Sequence, residues 1–377
     1  MCYECPDGAP CPPFPLNALS HPFVRGLLVL LATLAVALGT RALRAHLSRP
    51  DVVDAAREGA RKTGIPQELL LAMAYAESRL WLDATHHETS GWIRLVPWSA
   101  GRNPMLGARL LGVSPQEVER NPVLGLQAAA ALLADGHARL RLCLEPTDAC
   151  WRPALEAFNS AGDSHSNALY ASQVLSLARE GLRTRDGYGR QVNVPPWGGV
   201  ATNPAPRQPE PALATKNVAF APFLAAAPTT HRPPTQAPRR IRYIVIHTTE
   251  GSFSSILDFL RHPGPPVGAH YLIRAHDGLT VQLVDENAVA FHDACFNEES
   301  IGIEHEGFTR AGGLWYSDAL YQASARLVRD IAQRHGIPLD RQHILGHGEA
   351  PDCSNHTDPG PEWDWERYMR VLHQPSR

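Results

Sequence analysis

The sequence predicts a multidomain chain in which an all-α half precedes an α+β half built on a central mixed β-sheet with flanking helices. Three observations carry this expectation. The 377 residues exceed what one hydrophobic core usually fills. A proline-rich run interrupts the chain near its middle, and the apolar period is helical before that run and strand-like after it. The implied boundaries are a leader over residues 1–50, a helical domain over 51–185, a linker over 186–240 and a sheet domain over 241–377. The formal charge of -3 leaves no basic stripe, and neither a helix-turn-helix nor a phosphate-binding loop is present, so nucleic acid is not an expected partner.

In the leader, GLLVLLATLAVALGT (26–40) is uncharged, follows Arg25 and contains the small-x-small pattern Ala35-Val36-Ala37, which reads as an export signal. Arg41, Arg44 and Arg49 behind it oppose translocation of the downstream chain, so a membrane signal anchor is the alternative, and an internal core helix is a third reading. The run is shorter than the roughly 20 residues of a comfortable spanning helix. Export implies a periplasmic or extracellular protein. Of seven cysteines, Cys2, Cys5 and Cys11 lie in the leader; the remaining four suggest two intradomain disulfides, Cys143 with Cys150 and Cys295 with Cys353.

From residue 51 to about 185 the apolar spacing is helical. GIPQELLLAMAYAESRL (64–80) places Leu69, Met73 and Glu77 on one stripe beside Ala72, Ala76 and Leu80. A carboxyl continuing an apolar face is desolvated and retains its proton, as a general acid for glycoside cleavage requires. The plainer reading of Glu77 is a rim carboxylate paired with an arginine. Residues 186–240 combine many of the 33 prolines with Ala, Thr, Gln and Asn, a composition suited to an extended linker.

After the linker, RYIVIH is apolar on both faces, as a central strand is, and ends on His247. GAHYLI (268–273) and LTVQLV (279–284) flank the turn AHDG, and SIGIEHEG (300–307) is a further strand bearing two carboxylates. Ser317 caps a helix whose Leu320, Leu327, Val328, Ile331 and Ala332 share a face, and Gly336 and Pro338 end it. HILGH then leads into GHGEAPDCSNHTDPGPEWDW (346–365). Histidines and a carboxylate arriving from separate segments suit a catalytic zinc, which keeps three protein ligands and one open position for water.

These motifs resemble the zinc-dependent type 2 N-acetylmuramoyl-L-alanine amidases of the peptidoglycan-recognition-protein fold, over about residues 240–365. The resemblance implies zinc ligands at His247 (the VIHxT strand), His347 (after GH) and Asp358 (the TDPG turn), and a proton-handling carboxylate at Glu304 in SIGIE. Many members carry an oxyanion-stabilising lysine where this chain has His356. A protonated imidazole can take that role, and ligation of the metal by His356 is the alternative. His270, Tyr271 and His292 are candidates for the substrate groove or, equally, for satisfied strand-end residues. The implied reaction is hydrolysis of the amide between N-acetylmuramic acid and L-alanine.

The helical half resembles lysozyme-like lytic transglycosylases, in which the glutamate of an ES pair is the catalytic acid, here Glu77. GWIRLVP (91–97), ALEAFNSAG (154–162) and YASQVL (170–175) echo the family's motifs, with Arg94, Phe158 and Ala161 departing from them. The whole chain then has two readings. One is an exported wall hydrolase, with or without glycan cleavage. The other is a peptidoglycan-binding sensor that does not cut.

Overall fold

The computed structural model describes residues 51–81, 102–145, 147–159, 163–198, 214–234, 239–350 and 356–374. The apolar run at 26–40 and the GWIRLVP segment lie outside these residues, as does Cys353. Among the described residues no helix is long and apolar enough to cross a membrane.

The N-terminal half is helical: α1 (Val52–Thr63), α2 (Gln67–Ser78), α3 (Pro104–Leu111), α4 (Pro115–Arg120), α5 (Pro122–Arg139), α6 (Asp148–Asn159) and α7 (Ser164–Glu180). Local chemistry starts these helices. Asn103, Ser114 and Asn121 each cap a helix that opens on proline, whose missing N–H would be unpaired there anyway, and Asp163 caps α7. Helix α2 carries more than one apolar stripe: Leu69 through Ala74 are all buried, because α1, α5 and α7 surround it. A disulfide joins Cys143 and Cys150 across the turn before α6. Cys295 is also disulfide-bonded.

The expectation of an extended linker over 186–240 is corrected at both ends. Strands β1 (Leu182–Arg185) and β2 (Gln191–Val194) form an antiparallel hairpin that closes the helical half, and Trp197 buries against Trp151. Asp186 shapes the turn by accepting from the backbone N–H of Tyr188 and Arg190. Residues 214–234 belong to the second half. Leu224 and Ala226 donate to the carbonyls of Gln282 and Leu283, and Val218, Ala221, Leu224, Ala226 and Ala227 are buried. Pro222, between them, accepts from the Gln282 N–H at the edge of the sheet, where its own missing N–H costs no ladder bond. A composition averaged over 55 positions hides these few apolar anchors.

The second half contains β3 (His231–Arg232), β4 (Tyr243–Thr248), α8 (Phe253–Arg261), β5 (Tyr271–Ile273), β6 (Thr280–Gln282), β7 (Val289–Ala290), β8 (Ser300–His305), α9 (Gly312–Trp315), α10 (Asp318–His335), β9 (Ile344–Gly346) and α11 (Trp365–His373). Five strands form one mixed sheet in the order β6-β5-β8-β4-β9. β4, β8, β9 and β5 run parallel, and β6 pairs antiparallel with β5. The expected α+β half with a central mixed sheet is therefore present. Ile244, Ile246, Ile301 and Ile303 pack with Leu320, Leu327, Val328 and Ile331 of α10. Complete burial of each such side chain is worth about 1.5–3 kcal/mol. Helix α8 covers part of the other face through Phe253, Leu257 and Leu260 against Leu272, Val281 and Leu283. Because strand side chains alternate, Val245, His247, Gly302 and Glu304 face away from α10.

The two halves are joined by buried polar contacts. Glu77, with 1% of its side chain exposed, pairs with Arg102 at 2.8 Å and accepts from the hydroxyls of Ser252 (2.7 Å) and Ser254 (3.0 Å) at the start of α8. Arg79 lies over the rings of Trp315 and Tyr75 and pairs with Glu306, whose carboxylate also accepts from the backbone N–H of Phe253 and Ala275. Arg261 of α8 reaches the α7 cap Asp163 at 3.1 Å.

Candidate metal centre and catalytic cleft

Parallel strands present their C-terminal ends to the same edge of the sheet, and loops leaving that edge build clefts. His247 ends the apolar part of β4, in register with Glu304 on β8, so the two side chains stand side by side on one face. His347 follows β9 directly, next to β4 on its other side. Asp358 arrives from the TDPG turn and is held by the backbone N–H of Thr248 at 3.3 Å. The Thr248 hydroxyl meets Tyr316 Oη, which donates to the Pro359 carbonyl and so ties the turn to β4.

His247, His347 and Asp358 offer one donor atom each, all within 4.8 Å of one another. The Nδ1 atoms of the histidines are 3.0 Å apart, and each is 3.1–3.2 Å from an Asp358 oxygen. Two nitrogens and one carboxylate oxygen converging on one point, with no sulfur donor among them, fit an open catalytic metal site better than a closed structural one.

The electrostatics agree. Burial raises a carboxyl's pKa, but the hydrogen bonds from His247 and His347 hold Asp358 well below the usual carboxylate range. Burial keeps His247 below the ordinary histidine value. Burial would lower His347 too, yet Asp293 and Asp358 outweigh it and raise His347 to about 9. A cation entering the site displaces that proton, so binding is coupled to proton release.

Glu304 lines the same cleft of about 980 Å³ as the three donors, together with Thr249, Glu250, Val267 and Phe291. Its Oε2 is buried and, among the described residues, accepts no hydrogen bond. Burial, reinforced by the charge of Asp358, pushes Glu304 up to about 8. His356 is exposed at the cleft mouth, its ring stacked on that of His347 at 4.4 Å and its Nδ1 3.7 Å from Asp358.

Three expected site residues lie elsewhere, and a fourth lines the cleft beside the donor cluster. Tyr271 pairs with Ile303 in the sheet register, which turns it to the face opposite Glu304; its hydroxyl donates to Glu286 in the core. His270 is buried away from the cleft, accepting from the Gly302 N–H through Nδ1 while Nε2 lies near Arg239 and the Ala288 carbonyl. His292 does line the cleft, and its Nδ1 also lies against Nε2 of His247, behind the candidate metal donors. Glu77 is buried between the halves by its ion pair with Arg102 and its contacts with the Ser252 and Ser254 hydroxyls, where the expectation was a solvent-accessible acid.

Sequence reasoning missed Thr248, Tyr316, Asp293 and His305. His305 Nδ1 bonds the His247 carbonyl, bracing that strand end, and its Nε2 meets Ser324 of α10. No sequence spacing announces these partners.

Residues 237–361 match the family described as N-acetylmuramoyl-L-alanine amidase. Over 146 residues the chain is 34% identical to N-acetylmuramoyl-L-alanine amidase A of Achromobacter lyticus, spanning 34% of this chain and 82% of that relative. The chain belongs to the N-acetylmuramoyl-L-alanine amidase family. It is a hydrolase, a peptidoglycan amidase. The amidase is also 39% identical over 120 residues to the 1,6-anhydro-N-acetylmuramyl-L-alanine amidase AmpD of Citrobacter freundii, spanning 29% of this chain and 59% of AmpD. A solved structure of AmiD from E. coli, in complex with anhydro-N-acetylmuramic acid-L-Ala-D-gamma-Glu-L-Lys, shares 29% identity over 37% of this chain and 60% of that one, with a TM-score of 0.31. The match falls on the second half, where the candidate metal centre lies.

Proposed function

We propose that the amidase cleaves the amide joining the lactyl group of N-acetylmuramic acid to the L-alanine of the stem peptide, with His247, His347 and Asp358 holding a zinc ion and Glu304 acting as general base. The observation that carries this reading is the convergence of a His-His-Asp donor set and an unpartnered Glu304 oxygen on one open cleft. When bound, zinc polarises the scissile carbonyl and brings the pKa of a water toward neutrality.

Glu304 takes a proton from the attacking water, the water oxygen bonds to the carbonyl carbon, the carbon–nitrogen bond breaks, and Glu304 returns the proton to the departing alanine nitrogen. Its raised affinity for a proton suits the second half of that transfer, the protonation of the leaving nitrogen. His356, exposed at the mouth and outside the three-donor cluster, supports the reading of a cation for the developing oxyanion over that of a fourth ligand. A binding-only sensor is not favoured, since it would need neither the ligand set nor Glu304.

Export to the periplasm or beyond is supported by the peptidoglycan substrate, the disulfide at Cys143 and Cys150, and the apolar run at 26–40. For the helical half, the sealed ion pair of Glu77 supports a structural or glycan-holding role and argues against glycan cleavage. The test is mass spectrometry of soluble products from purified peptidoglycan, with and without a zinc chelator. Stem peptides bearing a new alanine amine, lost on chelation and restored by zinc, are expected. Their persistence under chelation would overturn the zinc assignment, and anhydro-muramic sugars would return Glu77 to a catalytic role.

A further inference from the structure

The segment between β7 and β8 touches both metal histidines from behind, and it does so with consecutive residues. His247 turns Nδ1 toward Asp358 and His347, and its far nitrogen, Nε2, lies 3.0 Å from His292 Nδ1. His347 likewise turns Nδ1 toward Asp358, and its far Nε2 lies 3.4 Å from Asp293 Oδ1. From this geometry we infer that His292 and Asp293 are positioning residues which together fix the tautomer and orientation of the two metal histidines. The inference rests on the metal-centre reading above.

The proton inventory permits one arrangement. A histidine that offers Nδ1 to a metal carries its proton on Nε2. His247 Nε2–H therefore donates to His292 Nδ1, which puts the His292 proton on Nε2. That proton goes to Ser300 Oγ at 3.2 Å, and the Ser300 hydroxyl donates to the Phe296 carbonyl at 2.6 Å. The chain of donors ends on a backbone oxygen with no group left over. On the second arm, Asp293 is an acceptor only, so it admits only the His347 tautomer protonated at Nε2.

The bracket itself is held. Asn297 Oδ1 accepts from the backbone N–H of both His292 (2.9 Å) and Asp293 (2.7 Å). The His292 ring lies flat on Gly302 of β8, where a Cβ would come within 2.4 Å of the ring, so no other residue fits beneath it. The Asp293 side chain is fully buried, and neither of its oxygens accepts a close hydrogen bond. Desolvating a carboxylate for so little return is costly unless the group serves a cationic partner, and the His347 imidazole beside it is the partner in reach.

The two arms differ in strength. A carboxylate behind His347 makes that ring a stronger donor than the neutral imidazole behind His247 can make its own. Zinc affinity of the full chain, measured by competition with a chromophoric chelator, should fall about 10- to 100-fold in Asp293→Ala and by less in His292→Ala. Asp293→Asn keeps an acceptor of the same shape without the charge and should recover part of the loss; if Asp293→Ala does not fold, Asp293→Asn carries the test by itself. At saturating zinc, kcat should fall by more than KM rises, because both residues act through the metal histidines. Parent-like zinc affinity in Asp293→Asn and in His292→Ala would overturn the bracket. His247→Ala separates the two readings: if it retains stoichiometric, parent-like zinc binding, the metal-centre assignment itself fails.

Discussion

Glu304 and Glu77 are both carboxylates withdrawn from water, one in each half of the chain, and they end in opposite chemical situations. Glu304 stands at a strand end with a buried Oε2 that nothing satisfies, in a cleft open to substrate. Glu77 has an arginine and two serine hydroxyls on its carboxylate and no opening to solvent. The desolvation of Glu304 is left uncompensated and raises its proton affinity, which is a resource for proton transfer. That of Glu77 is offset by its partners, which turns the same functional group into a joint between domains. Glu286, buried at the far side of the sheet, is a third case: it takes hydrogen bonds from Tyr271 Oη, from Arg334 and from His335 Nε2. Burial by itself therefore does not separate these carboxylates; the partners that each one gathers do.

The sharpest way to break this comparison is Glu304→Gln. Turnover of muramyl peptides should fall by about 10² to 10⁴ while stoichiometric zinc is retained, since the amide keeps the shape and loses the proton transfer. Unchanged turnover would remove Glu304 from the mechanism. Next in size is Glu77→Ala, which removes the carboxylate from the buried Arg102 guanidinium and leaves it neutral contacts such as Asn159 Oδ1. Unfolding in urea should show a loss of about 3–5 kcal/mol, with zinc content and amidase turnover per folded molecule preserved. A large loss of turnover at unchanged stability would restore Glu77 to chemistry. Replacing the pair together, Glu77→Leu with Arg102→Leu, should recover much of that stability, because no lone charge remains.

The smallest effect is one of pH. Burial opposes ionisation of Glu286, but the hydrogen bonds from His335, Arg334 and Tyr271 outweigh it and hold its pKa down to about 2, against an ordinary 4.5. A folded value below the unfolded one gives stability that is present above the unfolded value and lost as pH falls toward the folded one. The stability gap between the parent and Glu286→Gln, on the order of 3 kcal/mol at neutral pH, should close between about pH 4.5 and about pH 2. A gap that stays constant across this window would show that the hydrogen bonds do not favour the ionised form.

Much of the centre could be read from the chain because its parts sit at the ends of regular elements. VIH, SIGIE and GH are strand-end motifs, and β4, β8 and β9 lie side by side in the sheet, so His247, Glu304 and His347 converge once those strands pair in register. Asp358 came from a turn motif, whose prolines restrict the backbone locally and whose Gly360 permits the positive φ of the turn. His292 and Asp293 lie in an irregular segment whose course follows from Asn297 and Gly302, so their sequence carries no period that points at the metal histidines. Tyr271 was misread for a different reason: the register with Ile303 decides its face, and register is a property of two strands.

The sequence by itself determined the helical and sheet halves, the central strands and the metal-donor set, because propensity, alternation and turn chemistry act over a few neighbouring residues. The tertiary structure alone decided the rest. It packed 186–198 and 214–234 onto the domains that a linker was expected to separate. It also brought Arg102, Ser252 and Ser254 onto Glu77, contacts reaching up to 177 residues along the chain. Whether a buried carboxylate is an acid in waiting or half of an ion pair depends on which distant groups share its low-dielectric surroundings, and only the folded chain brings those groups together.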